Sequence, residues 1–306
     1  MEPLRLNGLI AATYTPMLDS GRINTDQVTV LTEGLLSQGI SGLYVCGSTG
    51  EGVSMSTQER KDVASSFVNA TARRVPVLVQ VGHNSITESC ALAAHAQEVG
   101  ADAVSATCPS YFKIDSVDVL LATMAKIAAS APESPFYYYH IPALTGSSLD
   151  MVEFLQRAGD AIPNLAGLKY TAPTLHEFQM CRSVDNGRYD VVWGLDEMLL
   201  SALAVGAEAG IGSTYNIAAG LYCRVIDSFA AGDLNEARRC QLLSVQMIRE
   251  MAAFPFHAAM KEVLRMQGID CGHCRLPHPR LSSEQTAELR ERLHSIGFFE
   301  WAQTGP

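Results

Sequence analysis

The chain has 306 residues, of which 47% are hydrophobic and 18% charged, and its formal net charge is −10. That composition supplies a sizeable buried core and excludes a disordered chain, while the acidic balance argues against the basic face of a nucleic-acid binder. The opening stretch MEPLRLNGLIAATYTP lacks the basic and long apolar regions of a secretory leader, and no apolar run reaches the roughly 18 residues of a membrane span, so a cytoplasmic, membrane-free protein with reduced thiols is expected.

Strand-like apolar runs fall at residues 8–12, 42–45, 75–81, 103–107, 135–139, 165–169, 189–193 and 209–212. Their β-branched and aromatic residues suit strands buried on both faces of a parallel sheet. Helical stretches lie between them. Ser56-Thr-Gln-Glu59 and Ser85-Ile-Thr-Glu88 read as capping boxes, in which hydroxyl and carboxylate each satisfy a backbone group left free by the first turn. Gly39, Gly100 and Gly206 read as helix stops, because glycine takes a left-handed cap with least strain. Beyond about residue 222 the strand signals cease, and 224–231, 234–251 and 256–267 look helical, with Ser282-Ser-Glu-Gln285 capping a last helix that runs to Gly297.

Eight strand–helix units in about 220 residues predict an α/β fold, a (β/α)8 TIM barrel, rather than an open doubly wound sheet. The barrel is expected over residues 1–222, with a helical extension over 223–306 packed on it in a single structural domain. No Gly-x-Gly-x-x-Gly opens a helix after the first run, which counts against a dinucleotide fold.

In such barrels chemistry sits where strands end at the C-terminal face. Lys169 ends the sixth run, where partial desolvation favours a neutral amine able to attack a carbonyl; the alternative is a lysine that snorkels outward and pairs with Asp196 or Glu197. Tyr139 ends the fifth run and can relay protons, or can simply pack the core. Gly47-Ser48-Thr49-Gly50-Glu51-Gly52 offers two hydroxyls and backbone N–H groups to a small anion, phosphate or carboxylate, unless it is an ordinary tight turn. Asp196 and Glu197 can accept from the hydroxyls of a polyol or favour the next helix N-terminus. His83, His95, His140, His176 and His257 are scattered in sequence and read as structural. Cys271-Gly-His-Cys274 has metal-like spacing without a second ligand pair, so a structural or incidental role is expected and no metal.

The order GSTGEG, Tyr-x-Ile-Pro, Gly-Leu-Lys, Gly-x-Asp-Glu and Gly-Ser-Thr-Tyr-Asn resembles the N-acetylneuraminate lyase and dihydrodipicolinate synthase family over nearly the whole chain. YYYHIPALTG, GLDE and GIGSTYN are similar to its lyase branch, of the animal type. The resemblance implies a class I aldolase that needs no cofactor and cleaves N-acetylneuraminate reversibly to N-acetylmannosamine and pyruvate, or a related enzyme acting on another 2-keto-3-deoxy sugar acid. It makes Lys169 the Schiff-base residue and Tyr139 the proton relay, with Ser48 and Thr49 on the pyruvate carboxylate. Thr171, Gly194, Asp196, Glu197 and Ser213 would hold the sugar. Tyr111 would be lent to a neighbouring subunit of a homotetramer. The synthases place an arginine where this chain has Leu144, which argues against aspartate semialdehyde, and His140 stands where the family usually has asparagine.

Overall fold

In a computed structural model that describes residues 4–302, the eight runs close into one parallel barrel in sequential order, β1 to β8, with β8 paired back onto β1. The strands are β1 (Gly8–Ala12), β2 (Gly42–Val45), β3 (Val77–Gln80), β4 (Ala103–Ala106), β5 (Phe136–His140), β6 (Leu165–Tyr170), β7 (Asp190–Trp193) and β8 (Ala209–Gly212). Two edges differ from the sequence reading for one reason. Pro76 and Pro135 have no N–H to give a ladder, so β3 and β5 start just after them; their carbonyls still accept from Leu43 and Val104. β6 runs one residue past Lys169, which pairs with Tyr139 on one side and Val192 on the other.

The outer ring is α1 (Asp26–Ser37), α2 (Thr57–Thr71), α3 (Ile86–Glu98), α4 (Val117–Ala128), a short α5 (Pro142–Thr145), α6 (Met151–Ala161), α7 (Leu175–Ser183), α8 (Leu199–Ala204) and α9 (Tyr215–Ala230). The glycine stops hold: Gly39, Gly100 and Gly206 all adopt positive φ. The capping box at Ser56 is complete, with Ser56 Oγ accepting from the Glu59 N–H and Glu59 accepting from the Ser56 N–H. The one expected at Ser85 is only half made. Ser85 Oγ accepts from the Glu88 N–H, but the Glu88 carboxylate takes the Thr57 hydroxyl at 2.6 Å and the Ser85 N–H donates to His83 Nδ1.

Then come α10 (Leu234–Met251), α11 (Phe256–Met266), α12 (Ser283–Ser295) and α13 (Phe298–Trp301). The helix expected at 224–231 begins instead at Tyr215, because Tyr215, Ile217, Leu221, Tyr222 and Val225 are all buried on the core. The border expected at 222/223 therefore lies inside α9, and we propose that barrel and extension form one unit sharing that helix.

Side chains alternate in and out along each strand. Outward residues such as Leu9, Leu43, Val104 and Leu168 join the helices in the main core, while Ile10, Tyr44, Leu78, Tyr137, Tyr139, Val192 and Ile211 fill the barrel itself. At the bottom, Asp190 accepts from the Leu6 N–H at 3.0 Å and the Tyr137 hydroxyl at 2.8 Å. The chain ahead of β1 thus plugs the N-terminal end, leaving the opposite rim for chemistry.

Candidate active site

At that rim Lys169 and Tyr139, register partners on adjacent strands, both point inward and are each 4% exposed. Lys169 does not snorkel. Its Nζ lies 4.0 Å from the ring centroids of both Tyr44 and Tyr139, whose rings meet edge-on at 5.6 Å. Burial brings its pKa down from 10.5 to about 7, opposed by the charge of Asp196. Near neutral pH a large share of the amine is therefore uncharged and nucleophilic. Burial pushes the Tyr139 phenol up to about 12, with the facing hydroxyls of Ser48 and Thr171 pulling it back. It remains a neutral phenol able both to donate and to accept.

Three further hydroxyls frame the pair. Thr49, buried, shares a 2.6 Å hydrogen bond with Ser213 across the barrel mouth. Thr171 Oγ1 is buried without a well-formed hydrogen bond. It fits only because residue 194 is glycine: a Cβ there would stand 2.0 Å from Thr171 Oγ1. Gly52 is equally constrained, since its Cβ would meet the Cys46 carbonyl at 1.9 Å as the loop doubles back.

Sequence reading passed over what fixes this loop. Glu51, at φ +56°, turns its carboxylate inward to a buried ion pair with Lys261 of α11 at 2.9 Å. Lys261 also donates to the Thr15 and His273 carbonyls, and the Arg275 N–H donates to Glu51 at 2.7 Å. The Thr15 hydroxyl donates to the Gly50 carbonyl. The loop carrying Ser48 and Thr49 is thereby pinned to the end of β1 and to the C-terminal extension. A glutamate between two glycines reads as a solvated turn residue, so only the pairing with a lysine 210 positions away (261 − 51) exposes its role.

Asp196 is buried, and its Oδ2 takes the Thr214 N–H and hydroxyl at 2.8 and 2.6 Å. Burial raises its pKa to about 6 against those bonds. Glu197 beside it is exposed. Tyr111 stands apart from the buried cluster, 79% exposed, its ring edge-on to Phe112 and its N–H donated to Asn84. His257 is not isolated: the Tyr14 hydroxyl lies 3.2 Å from its Nδ1, and its ring lies 5.2 Å from that of His278. Cys271 and Cys274 are buried free thiols raised by burial to about 12. Among the described residues no three His, Cys, Asp or Glu side chains gather as a metal site, and no helix is long and apolar enough to cross a membrane.

A cavity of about 360 Å³ opens beside the Gly-rich loop, lined by Ser48, Gln80, Asn84, Leu144, His257 and His278 among others. A larger hollow of about 670 Å³ around Leu4, Pro135 and Arg188 contains none of the groups just described, and size is outweighed by chemistry here. A closed parallel barrel with a desolvated amine against a phenol at its C-terminal rim defines a barrel protein equipped to attack a carbonyl group. The chain belongs to the dihydrodipicolinate synthetase family, whose pattern it matches over residues 5–296. It is 38% identical to the N-acetylneuraminate lyase of Xenopus tropicalis across 94% of this chain and 96% of that one. Among solved structures it resembles the N-acetylneuraminate lyase of Proteus mirabilis, with a TM-score of 0.94 and 39% identity over 96% of this chain and all of that one. The N-acetylneuraminate lyase (sialic acid aldolase) of Aliivibrio salmonicida has the same score and identity, over 96% and 98%.

Proposed function

We propose that this chain is a class I aldolase that cleaves N-acetylneuraminate reversibly to N-acetylmannosamine and pyruvate. The observation that carries the reading is the buried Lys169 amine, brought to a pKa of about 7 and set against Tyr139. The neutral amine attacks the C2 carbonyl of the open-chain sugar acid; amine, carbonyl and one proton give a protonated imine and water. The C3–C4 bonding pair then flows into the imine. Tyr139 shuttles the C4 hydroxyl proton, in concert with the Ser48 and Thr171 hydroxyls, and that proton ends on C3. The aldehyde leaves, and water hydrolyses the remaining imine to release pyruvate and the free lysine.

Ser48, Thr49 and the N–H groups of the Gly-rich turn receive the carboxylate, a small anion suited to such a turn. Thr171, Glu197, Ser213 and the Oδ1 of Asp196 take the sugar hydroxyls, and Gly194 keeps room for Thr171. Tyr111 completes the site of a second copy, within an assembly of two dimers. Its support is the exposed Tyr111–Phe112 pair, a residue type enriched where interfaces bury it. The test is direct: pyruvate with borohydride should leave one stable adduct on Lys169, and a panel of keto-acid sugars should release pyruvate fastest from N-acetylneuraminate. An adduct on Lys113 or Lys261, or a better substrate without the N-acetyl group, overturns the reading.

A further inference from the structure

Tyr44 sits midway along β2 in a run that sequence reading assigned only to the core. It is fully buried, its ring is perpendicular to that of Tyr139 (83°), and Lys169 Nζ stands equally far, 4.0 Å, from the two centroids. A cation within about 6 Å of an aromatic face is attracted by the ring quadrupole, and more strongly when desolvated. The groups facing Nζ are thus Tyr44 from β2, Tyr139 from β5 and, electrostatically, Asp196 after β7. Asp196 Oδ2 is committed to Thr214, and the contacts that Nζ makes at 4.0 Å are with two π faces.

The two tyrosines differ in what else they can do. The Tyr44 hydroxyl is tied to Ser105 Oγ of β4 at 3.0 Å, inside the barrel, and burial raises its pKa well above the ordinary value. Its ring cannot swing away, and its phenol stays protonated. The Tyr139 phenol faces Ser48 and Thr171 at the open end.

Resting on the imine mechanism above, we propose that Tyr44 is a further catalytic residue, whose ring forms with that of Tyr139 a two-walled π clamp that orients Nζ and stabilises the cationic imine. A positive charge appears on nitrogen when the neutral amine, a carbonyl and a proton become protonated imine and water, so the clamp favours the intermediate over the uncharged amine that precedes it. Tyr139 is left free to move protons while Tyr44 supplies an unchanging wall.

The experiment separates ring charge from ring shape. Tyr44→Phe keeps the face and loses the Ser105 bond; pentafluorophenylalanine at position 44 keeps the shape and reverses the quadrupole. For each, pyruvate is titrated and the imine trapped with borohydride over a range of pH, with adducts counted by mass spectrometry and folding checked by circular dichroism. At pH 8 and above, where the resting amine is uncharged, Tyr44→Phe should keep imine accumulation within a fewfold of the unmodified protein, and the fluorinated ring should lower it by a further 3- to 30-fold, the range of a partly to fully desolvated cation–π contact. The midpoint of the trapping pH profile should fall as well. Equal trapping by the two rings overturns the clamp, as does an equal loss in Tyr44→Phe and in Ser105→Ala, which would reduce Tyr44 to a hydrogen-bonded strut. No adduct in the unmodified protein would instead refute the imine mechanism itself.

Discussion

Tyr139 and Lys169 face each other across the β5–β6 ladder, so that the backbone pairing, not a flexible loop, holds the amine 4.0 Å from the centre of the tyrosine ring. Loss of the Tyr139 hydroxyl alone should therefore leave the amine in place. Tyr139→Phe is expected to lower kcat by roughly 10²–10⁴-fold, the scale of a general acid–base step, while pyruvate still forms a trappable imine. Steady-state turnover together with borohydride labelling checks both halves.

The pH dependence of imine formation follows from Lys169. With a pKa of about 7, the neutral amine falls about tenfold per pH unit below that value and saturates above it. Trapping rates with pyruvate should show this shape between pH 5 and pH 9. The same group affects stability with a definite sign. Its folded pKa lies below the ordinary 10.5, so between pH 7 and about 10.5 the unfolded chain binds more protons and stability rises with pH. Lys169→Met should stabilise the fold most at pH 7 and below, and progressively less toward pH 10, as urea titrations will read.

The Glu51–Lys261 pair is almost wholly enclosed, at 0% and 1% side-chain exposure. Removing one partner leaves an uncompensated buried charge, so Lys261→Met should cost about 3–5 kcal/mol. The double variant Glu51→Leu with Lys261→Met should recover part of that loss in urea denaturation. Both should weaken pyruvate binding, because the Ser48–Thr49 loop loses its anchor.

Ser48 should act on binding before chemistry. Ser48→Ala removes one hydroxyl from an anion, and a hydrogen bond to a charged group contributes about 1.5–3 kcal/mol. The pyruvate Kd should rise about 10- to 100-fold, measured by the concentration needed for half-maximal trapping.

Assembly is tested by complementation. Light scattering should give a mass near four times the 33.0 kDa chain. Tyr111→Phe and Lys169→Ala subunits, each poorly active alone, should regain some activity when mixed, because one shared site can then draw Lys169 and Tyr111 from different chains. A fully active monomer would remove the trans role of Tyr111.

Much of the fold was legible because its signals are local. Three of the eight strands keep the limits set by their apolar runs, and the glycine stops adopt the left-handed conformation read from their position. Lys169 was legible because an amine at the end of a core strand demands a reason. Tyr44 was not. A tyrosine inside "GLYV" looks like core filler, and which inward residues of β2, β5 and β6 share a layer depends on strand stagger, which no single run records. Glu51 and Lys261 escaped for a related cause: their attraction is felt only once α11 has folded back against the segment that follows β1, where Lys261 meets the Thr15 carbonyl. The half-made cap at Ser85 shows the converse, a local pattern overridden when Thr57 on a neighbouring helix offered Glu88 a better partner.

The anchoring of the Gly-rich loop also sets an order of events during synthesis. Ser48 and Thr49 leave the ribosome early, but Lys261 and Arg275, which hold Glu51 in place, follow more than 200 residues later. The first strand–helix units can therefore pair and bury their apolar faces with the Ser48–Thr49 loop still unset. A nascent or prematurely terminated chain that ends before α11 lacks the loop's anchor however complete its barrel, so under the proposed function competence for the reaction arrives only with the last part of the polypeptide.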